Sequence, residues 1–190
     1  MSQVAKRLTM IVAPIMMTGC VLNSARPLPE GSFVSNGRAI AVYGVASEDD
    51  RGVHVELDQY DMTSHTAGNC LVFTRMEADA QPSTPVKYVA FDVPPGVYTY
   101  GRMNTAGLEK ALPPGVQQDI AAPQVTGFVV PEGSVVYLGD FILRHGSLIY
   151  QQGFNAFNSA KGTLLPRLRG EVSLANELAV KQPPGFLCTP

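Results

Sequence analysis

Clustered positive charge is missing from this chain. Lys6-Arg7 is its one adjacent basic pair, and 14 Lys and Arg stand against 16 Asp and Glu, for a net charge of −2. Nucleic-acid binding needs Lys and Arg gathered at phosphates, so this composition argues against it. It also argues against adhesion to anionic lipid through a polybasic patch. No heptad run and no glycine loop of the phosphate-binding type occurs. No Gly-x-Ser-x-Gly elbow is present to raise a serine nucleophile. The one notable apolar run, Leu8 to Met17, is short and holds Pro14. A bilayer-spanning helix takes about 20 apolar residues, and an internal proline interrupts it. Tryptophan is absent and cysteine occurs three times, at Cys20, Cys70 and Cys188.

What the chain does have is punctuation. Its 18 glycines and 15 prolines break it into short segments and argue against long helices. Between the breaks lie strand-like runs at 38–46, 53–61, 70–75, 86–93, 97–103, 124–130, 134–143 and 147–151. Residues 53–61 show the pattern best: Val53, Val55 and Leu57 alternate with His54, Glu56 and Asp58, the period of a half-buried strand. Two units share one plan of strand, turn and strand, around Pro94-Pro95-Gly96 and Pro131-Glu132-Gly133. Proline presets φ for a turn and glycine accepts positive φ. The connection 104–123 is long enough to cross from one sheet to another. Residues 173–181 repeat Leu174 with Leu178 and Ala175 with Ala179, a spacing of four that predicts one short amphipathic helix capped by Ser173. Together these signals predict a mainly β fold: an antiparallel β-sandwich of about seven to eight strands with one short C-terminal helix.

The first residues read as an export signal. Lys6 and Arg7 supply positive charge, an apolar stretch follows, and small residues Thr18-Gly19 precede Cys20. Met17-Thr18-Gly19-Cys20 resembles the lipobox of bacterial lipoproteins. That resemblance implies cleavage before Cys20, a diacylglycerol on its sulfur and acylation of its new amino group, palmitate being one such chain. Since Val21 is not Asp, it also implies the outer membrane. Each buried CH₂ contributes about 0.8 kcal/mol, and two or more chains give lasting anchorage where one does not. The expected organisation is a removed signal peptide (1–19), a lipidated cysteine with a flexible tether (20–36) and a β-sandwich domain (37–190). The mature chain would keep twelve basic residues against sixteen acidic ones, a net charge of −4. The stretch FDVPPGVYTY, Phe91 to Tyr100, resembles the transthyretin-like and carboxypeptidase-regulatory sandwiches and small bacterial lipoproteins of unassigned function. It implies a fold and no activity.

Candidate chemistry is sparse. On a strand, His54, Glu56 and Asp58 share one face, and such groups can bind a divalent metal. Three ligands along one straight strand lie in a row and converge poorly, so a solvated sheet face is the expected role and no metal or other cofactor is predicted. Tyr98 and Tyr100 share a face. Exposed, they would stack on a sugar or peptide; buried, they are core filling, which is the expectation. Asp140, His145 and Ser147 carry the letters of a triad without its geometry. Glu48, Asp49 and Asp50 form a solvated loop cluster without the spacing of an EF-hand, and His65 lies in a polar turn.

These readings point to a non-enzymatic lipoprotein of the cell envelope. It would be held at the outer membrane by its lipid, face the periplasm, and dock another envelope protein, with no nucleic acid. A periplasmic module binding glycan or a small ligand is the alternative, and a hydrolase would need a convergent nucleophile and base. With Cys20 lipidated, Cys70 and Cys188 remain as an even pair in an oxidising compartment, which favours a disulfide over two free thiols. Non-reducing peptide mapping of protein made in the periplasm is expected to join Cys70 to Cys188. Recovery of both as free, alkylated thiols would contradict it.

Overall fold

Each of the eight runs that the sequence marks as strands forms a strand over its described residues, the run 70–75 from Phe73 onward. A computed structural model describes residues 22–25, 27–29, 31–67, 73–104, 124–164 and 168–181. Cys20, Cys70 and Cys188 lie outside them. In chain order the elements are β1 (Leu22–Ser24), β2 (Ser32–Phe33), β3 (Ala39–Ser47), β4 (Val53–Asp61) and β5 (Thr66–Ala67). Then follow β6 (Phe73–Ala80), β7 (Thr84–Val93), β8 (Gly96–Asn104), β9 (Gln124–Val130), β10 (Val135–Arg144) and β11 (Ser147–Gln151). The chain closes with α1 (Phe154–Leu164), β12 (Leu168–Arg169), β13 (Val172–Leu174) and β14 (Asn176–Lys181).

The strands build a seven-stranded sheet in the order β1-β6-β4-β8-β9-β14, with β5 also on β4. A five-stranded sheet runs β11-β10-β3-β7, with β13 also on β10, and β2 and β12 form a small separate pair. The two large sheets face each other across a core that takes alternate residues of the longer strands, including Tyr43, Val55, Leu57, Met76, Phe91, Tyr98, Phe128 and Phe141. Phe141 is its hub. Its ring lies 5.4 Å from Tyr150, 5.5 Å from Tyr100 and 5.7 Å from Tyr43, the last two edge-on. Each such side chain contributes roughly 1.5–3 kcal/mol through burial, and edge-on aromatic pairs add to that.

The Pro-Pro-Gly and Pro-Glu-Gly turns are corners between sheets: β7 lies in the five-stranded sheet and β8 in the seven-stranded one, β9 in the seven-stranded sheet and β10 in the five-stranded one. Gly133 takes φ +70° at the second corner, and its N–H donates to the Arg38 carbonyl. The connection long enough to cross between sheets joins β8 and β9, antiparallel neighbours in the same sheet.

Three further expectations are corrected. The sheets are mixed rather than antiparallel, since β1 runs parallel to β6, and β3 and β13 run parallel to β10. Strands that are not joined by hairpins have no obligation to alternate direction. Residues 173–181 are not helical but divide between β13 and β14. A spacing of four is also a multiple of two, and Leu178 and Val180 alternate with exposed Glu177 and Ala179 along the β9 edge. The helix is α1, earlier in the chain, where Ala156, Phe157, Ala160 and Leu164 cover Ile40, Val42 and Tyr137 on the outer face of the five-stranded sheet. Finally, described residues of the segment expected as a tether pair with the fold. β1 adds to the β6 edge, the Ala25 N–H donates to the Arg75 carbonyl at 2.8 Å, and the Leu28 N–H donates to the Ala90 carbonyl at 2.8 Å. Backbone pairing holds these residues without any side-chain periodicity to announce it.

Two glycines test the packing in opposite directions. A Cβ on Gly44 would lie 2.1 Å from Asp140 Oδ1 and 2.7 Å from Val86 Cγ1, whereas one on helical Gly162 would meet nothing within 4 Å. By urea unfolding, Gly44→Ala is expected to lose about 1–3 kcal/mol by overpacking, and Gly162→Ala to gain about 0.5–1 kcal/mol of helix propensity. A neutral Gly44→Ala would contradict the close approach of β3 to Asp140.

Candidate functional site

Polar alternation on β4 turns His54, Glu56 and Asp58 away from the core while Val53, Val55 and Leu57 enter it. The neighbouring β6 does the same: Met76, Ala78 and Ala80 face inward, leaving Arg75, Glu77 and Asp79 on the outer face. The antiparallel register sets His54 opposite Asp79, Glu56 opposite Glu77 and Asp58 opposite Arg75. Residues that lie in a row along one strand thus acquire cross-strand partners within reach of a side chain.

The result is a connected ionic cluster. His54 Nδ1 lies 2.6 Å from Asp79 Oδ1, and His54 Nε2 lies 3.1 Å from Glu56 Oε1. Arg75 donates from Nε to Asp58 Oδ1 at 2.9 Å, and its Nη1 stands 3.3 Å from Glu56 Oε2 and 3.7 Å from Glu77 Oε1. Four carboxylates share one guanidinium and one imidazole. Two of them are sealed from water, Glu56 at 9 % exposure and Asp58 at 2 %. Glu56 Oε2 accepts no hydrogen bond among the described residues.

Burial pushes the Asp58 carboxyl up, against the hydrogen bond and charge of Arg75 that pull it down. His54 shows the reverse balance. Desolvation alone would lower its pKa, but hydrogen bonds and charge from Asp79 and Glu56 outweigh that and raise it. The solvated face expected here is therefore only partly solvated, because Asp58 and Glu56 are buried. One ligand atom each from His54, Glu56 and Glu77 lie within 4.8 Å of one another. Glu77, not Asp58, completes the convergent group. The signal for it was present in the alternation of Arg75-Met76-Glu77-Ala78-Asp79-Ala80, which continues the strand predicted to end at Arg75.

The other candidates disperse. Tyr98 is fully buried and Tyr100 is 8 % exposed, so both fill the core and neither lines an open groove. The Tyr98 hydroxyl donates to the Pro94 carbonyl at 2.7 Å. Asp140 and Ser147 do not approach each other. Asp140 pairs with Gln151 and Ser147 with Arg144, at opposite ends of the β10–β11 ladder, while His145 occupies the exposed turn. Asp140 has a structural role instead. Its buried carboxylate accepts the Tyr137 hydroxyl at 2.6 Å in the space left by Gly44, while the Tyr88 hydroxyl donates to the Ala156 carbonyl at 3.4 Å. Burial and the charge of Asp140 push the Tyr88 hydroxyl up to about 12. The loop acids clamp the β10–β11 turn: Asp49 accepts the N–H groups of His145 and Gly146, each at 2.7 Å, and Glu48 pairs with Arg144. His65, at φ +55°, lies 3.3 Å from the Tyr60 hydroxyl.

Removing the guanidinium from the ionic cluster strands two buried carboxylates. Arg75→Met is expected to cost about 3–5 kcal/mol at pH 7. Because the folded Asp58 pKa already sits above its unfolded value, ionised Asp58 opposes folding once the pH exceeds that unfolded value. Without Arg75 this opposition grows. The stability gap between Arg75→Met and wild type should therefore narrow as the pH falls through the folded Asp58 pKa, and a gap independent of pH would contradict the assignment. In comparisons with protein families, curated proteins and solved structures, nothing matches this chain.

Proposed function

We propose that the chain is a lipid-anchored protein of the bacterial cell envelope whose sandwich serves as a non-enzymatic binding module, facing the periplasm at the outer membrane. One observation carries this reading, the order of residues from Lys6 to Leu22: charge, a short apolar stretch, Thr18-Gly19, Cys20, and then the first strand of the fold. Cys20 stands two residues before Leu22. At about 3.3–3.6 Å per residue, a lipid on Cys20 would hold the β1 edge within roughly 7 Å of its attachment point. The sandwich would then rest against the bilayer rather than stand off on a tether. Its partner is another envelope protein, and β14 offers a surface for it: among the described residues this strand pairs only with β9, leaving its other edge for strand addition.

Fractionation of cells expressing wild type and Cys20→Ser tests the anchor. Wild type is expected in the membrane fraction, with a mature mass that begins at Cys20 and carries a lipid increment. Cys20→Ser is expected as uncut precursor or as soluble periplasmic protein. A wild-type mass with no lipid increment, or an intact polypeptide in the cytosol, would overturn the reading.

A further inference from the structure

We propose that His54, Glu56 and Glu77 form a binding site for a divalent transition-metal ion of the zinc type, with Asp79 as the carboxylate that orients the histidine. This site is independent of the lipid anchor, and its central group is the imidazole. The 2.6 Å contact between Nδ1 and Asp79 Oδ1 requires a proton on Nδ1, since a carboxylate only accepts. On the neutral ring, Nε2 then presents a lone pair to Glu56 Oε1, 3.1 Å away. Two acceptors facing each other at this distance call for a positive centre shared between them, either a second ring proton or a metal ion.

Three features favour the metal ion. A carboxylate on the far nitrogen of a ligating histidine is the usual outer-shell arrangement, which fixes the tautomer and raises the basicity of the ligand. Glu77 brings a third donor atom to within 4.8 Å of the other two. Donors on one ion at 2.0–2.2 Å stand at most about 4.4 Å apart, so closure needs only a small movement of the Glu77 side chain, which is 41 % exposed and stands 3.7 Å from Arg75 Nη1. Glu56 is nine-tenths buried, and its Oε2 accepts no hydrogen bond, so its only close positive groups are the Arg75 guanidinium at 3.3 Å and the His54 ring among the described residues. Arg75 Nη1 stands 3.3 Å from that second oxygen and 3.7 Å from Glu77 Oε1 and is committed by its Nε to Asp58, so an ion between His54 Nε2 and Glu56 Oε1 shares these carboxylates with the guanidinium.

One nitrogen and two carboxylate oxygens suit zinc and its neighbours better than calcium or magnesium, which favour all-oxygen shells. With three protein donors, water completes the coordination.

Cobalt(II) provides a spectroscopic probe that also reports the ligand type. Titration of the chelator-treated full-length chain is expected to give one saturable visible d–d band per chain, without the near-ultraviolet thiolate-to-cobalt band that cysteine ligation produces. Zinc should bleach this band by displacement. His54→Gln and Glu77→Gln are expected to weaken binding at least about tenfold, and Asp79→Asn by about 10–100-fold, while His145→Gln binds as wild type does. Circular dichroism melts identify any variant that fails to fold, and Glu77→Gln, at an exposed position, decides the matter if His54→Gln does so. Absence of a saturable band overturns the proposal and leaves a proton between Nε2 and Oε1. A band carrying thiolate absorption, or one indifferent to both His54→Gln and Glu77→Gln, overturns it equally.

Discussion

The pairing register of β4 with β6 is the constraint on which the chemistry of this protein rests. It sets an imidazole against Asp79, a carboxylate against another at Glu56 and Glu77, and Asp58 against Arg75. A slip of one residue would move Val53, Val55 and Leu57 to the outside and bring the charges into the core. Burial of the apolar set therefore enforces the register, and the register assembles the ionic cluster without any loop to hold it. Directly opposed like charges oppose pairing in an antiparallel sheet. The Glu56–Glu77 pair is tolerable only because Arg75 lies near both carboxylates and His54 lies beside one of them.

The other broad surfaces are differently used. The inner faces of both sheets are consumed by the aromatic core around Phe141. The outer face of the five-stranded sheet is covered by α1, and its buried acid, Asp140, accepts the Tyr137 hydroxyl. On the seven-stranded sheet the outer face divides. Toward β14 it is apolar, with Tyr60, Val125 and Val180 buried and Gly127 leaving room for Val97 and Val180. Toward β6 it is charged and holds excess carboxylate. A site selective for a cation follows from that imbalance, and a lipid on Cys20 would set the neighbouring β1 edge beside the membrane.

Much of the architecture was legible in the sequence because it rests on alternation and turn chemistry. Eight of the strands in the two sheets, the corners at Gly96 and Gly133 and the outward face of His54, Glu56 and Asp58 all follow from local pattern. What was missed rests on pairing or on weak local preference. β1 and β2 are held by backbone hydrogen bonds to partners far away in sequence. The α1 segment, with Asn155, Asn158, Ser159 and Gly162, has low helix propensity and is secured by packing onto Tyr137 and its neighbours. Leu174 and Leu178 are four apart, a spacing that helix and strand both permit, and the β9 edge chose the strand. The cluster itself was half legible: one strand supplied its three candidate ligands, but only the register could exchange Asp58 for Glu77.

The account depends most directly on Glu56 and Glu77 facing each other across that register. A double-mutant cycle with Glu56→Gln and Glu77→Gln, measured by urea unfolding in the presence of a chelator, reports the contact. The structure predicts a repulsive coupling of about 0.5–1 kcal/mol, so that the two substitutions relieve one strain between them rather than adding independently. Strict additivity would mean that the two carboxylates do not meet, and the register and the site built on it would both be wrong.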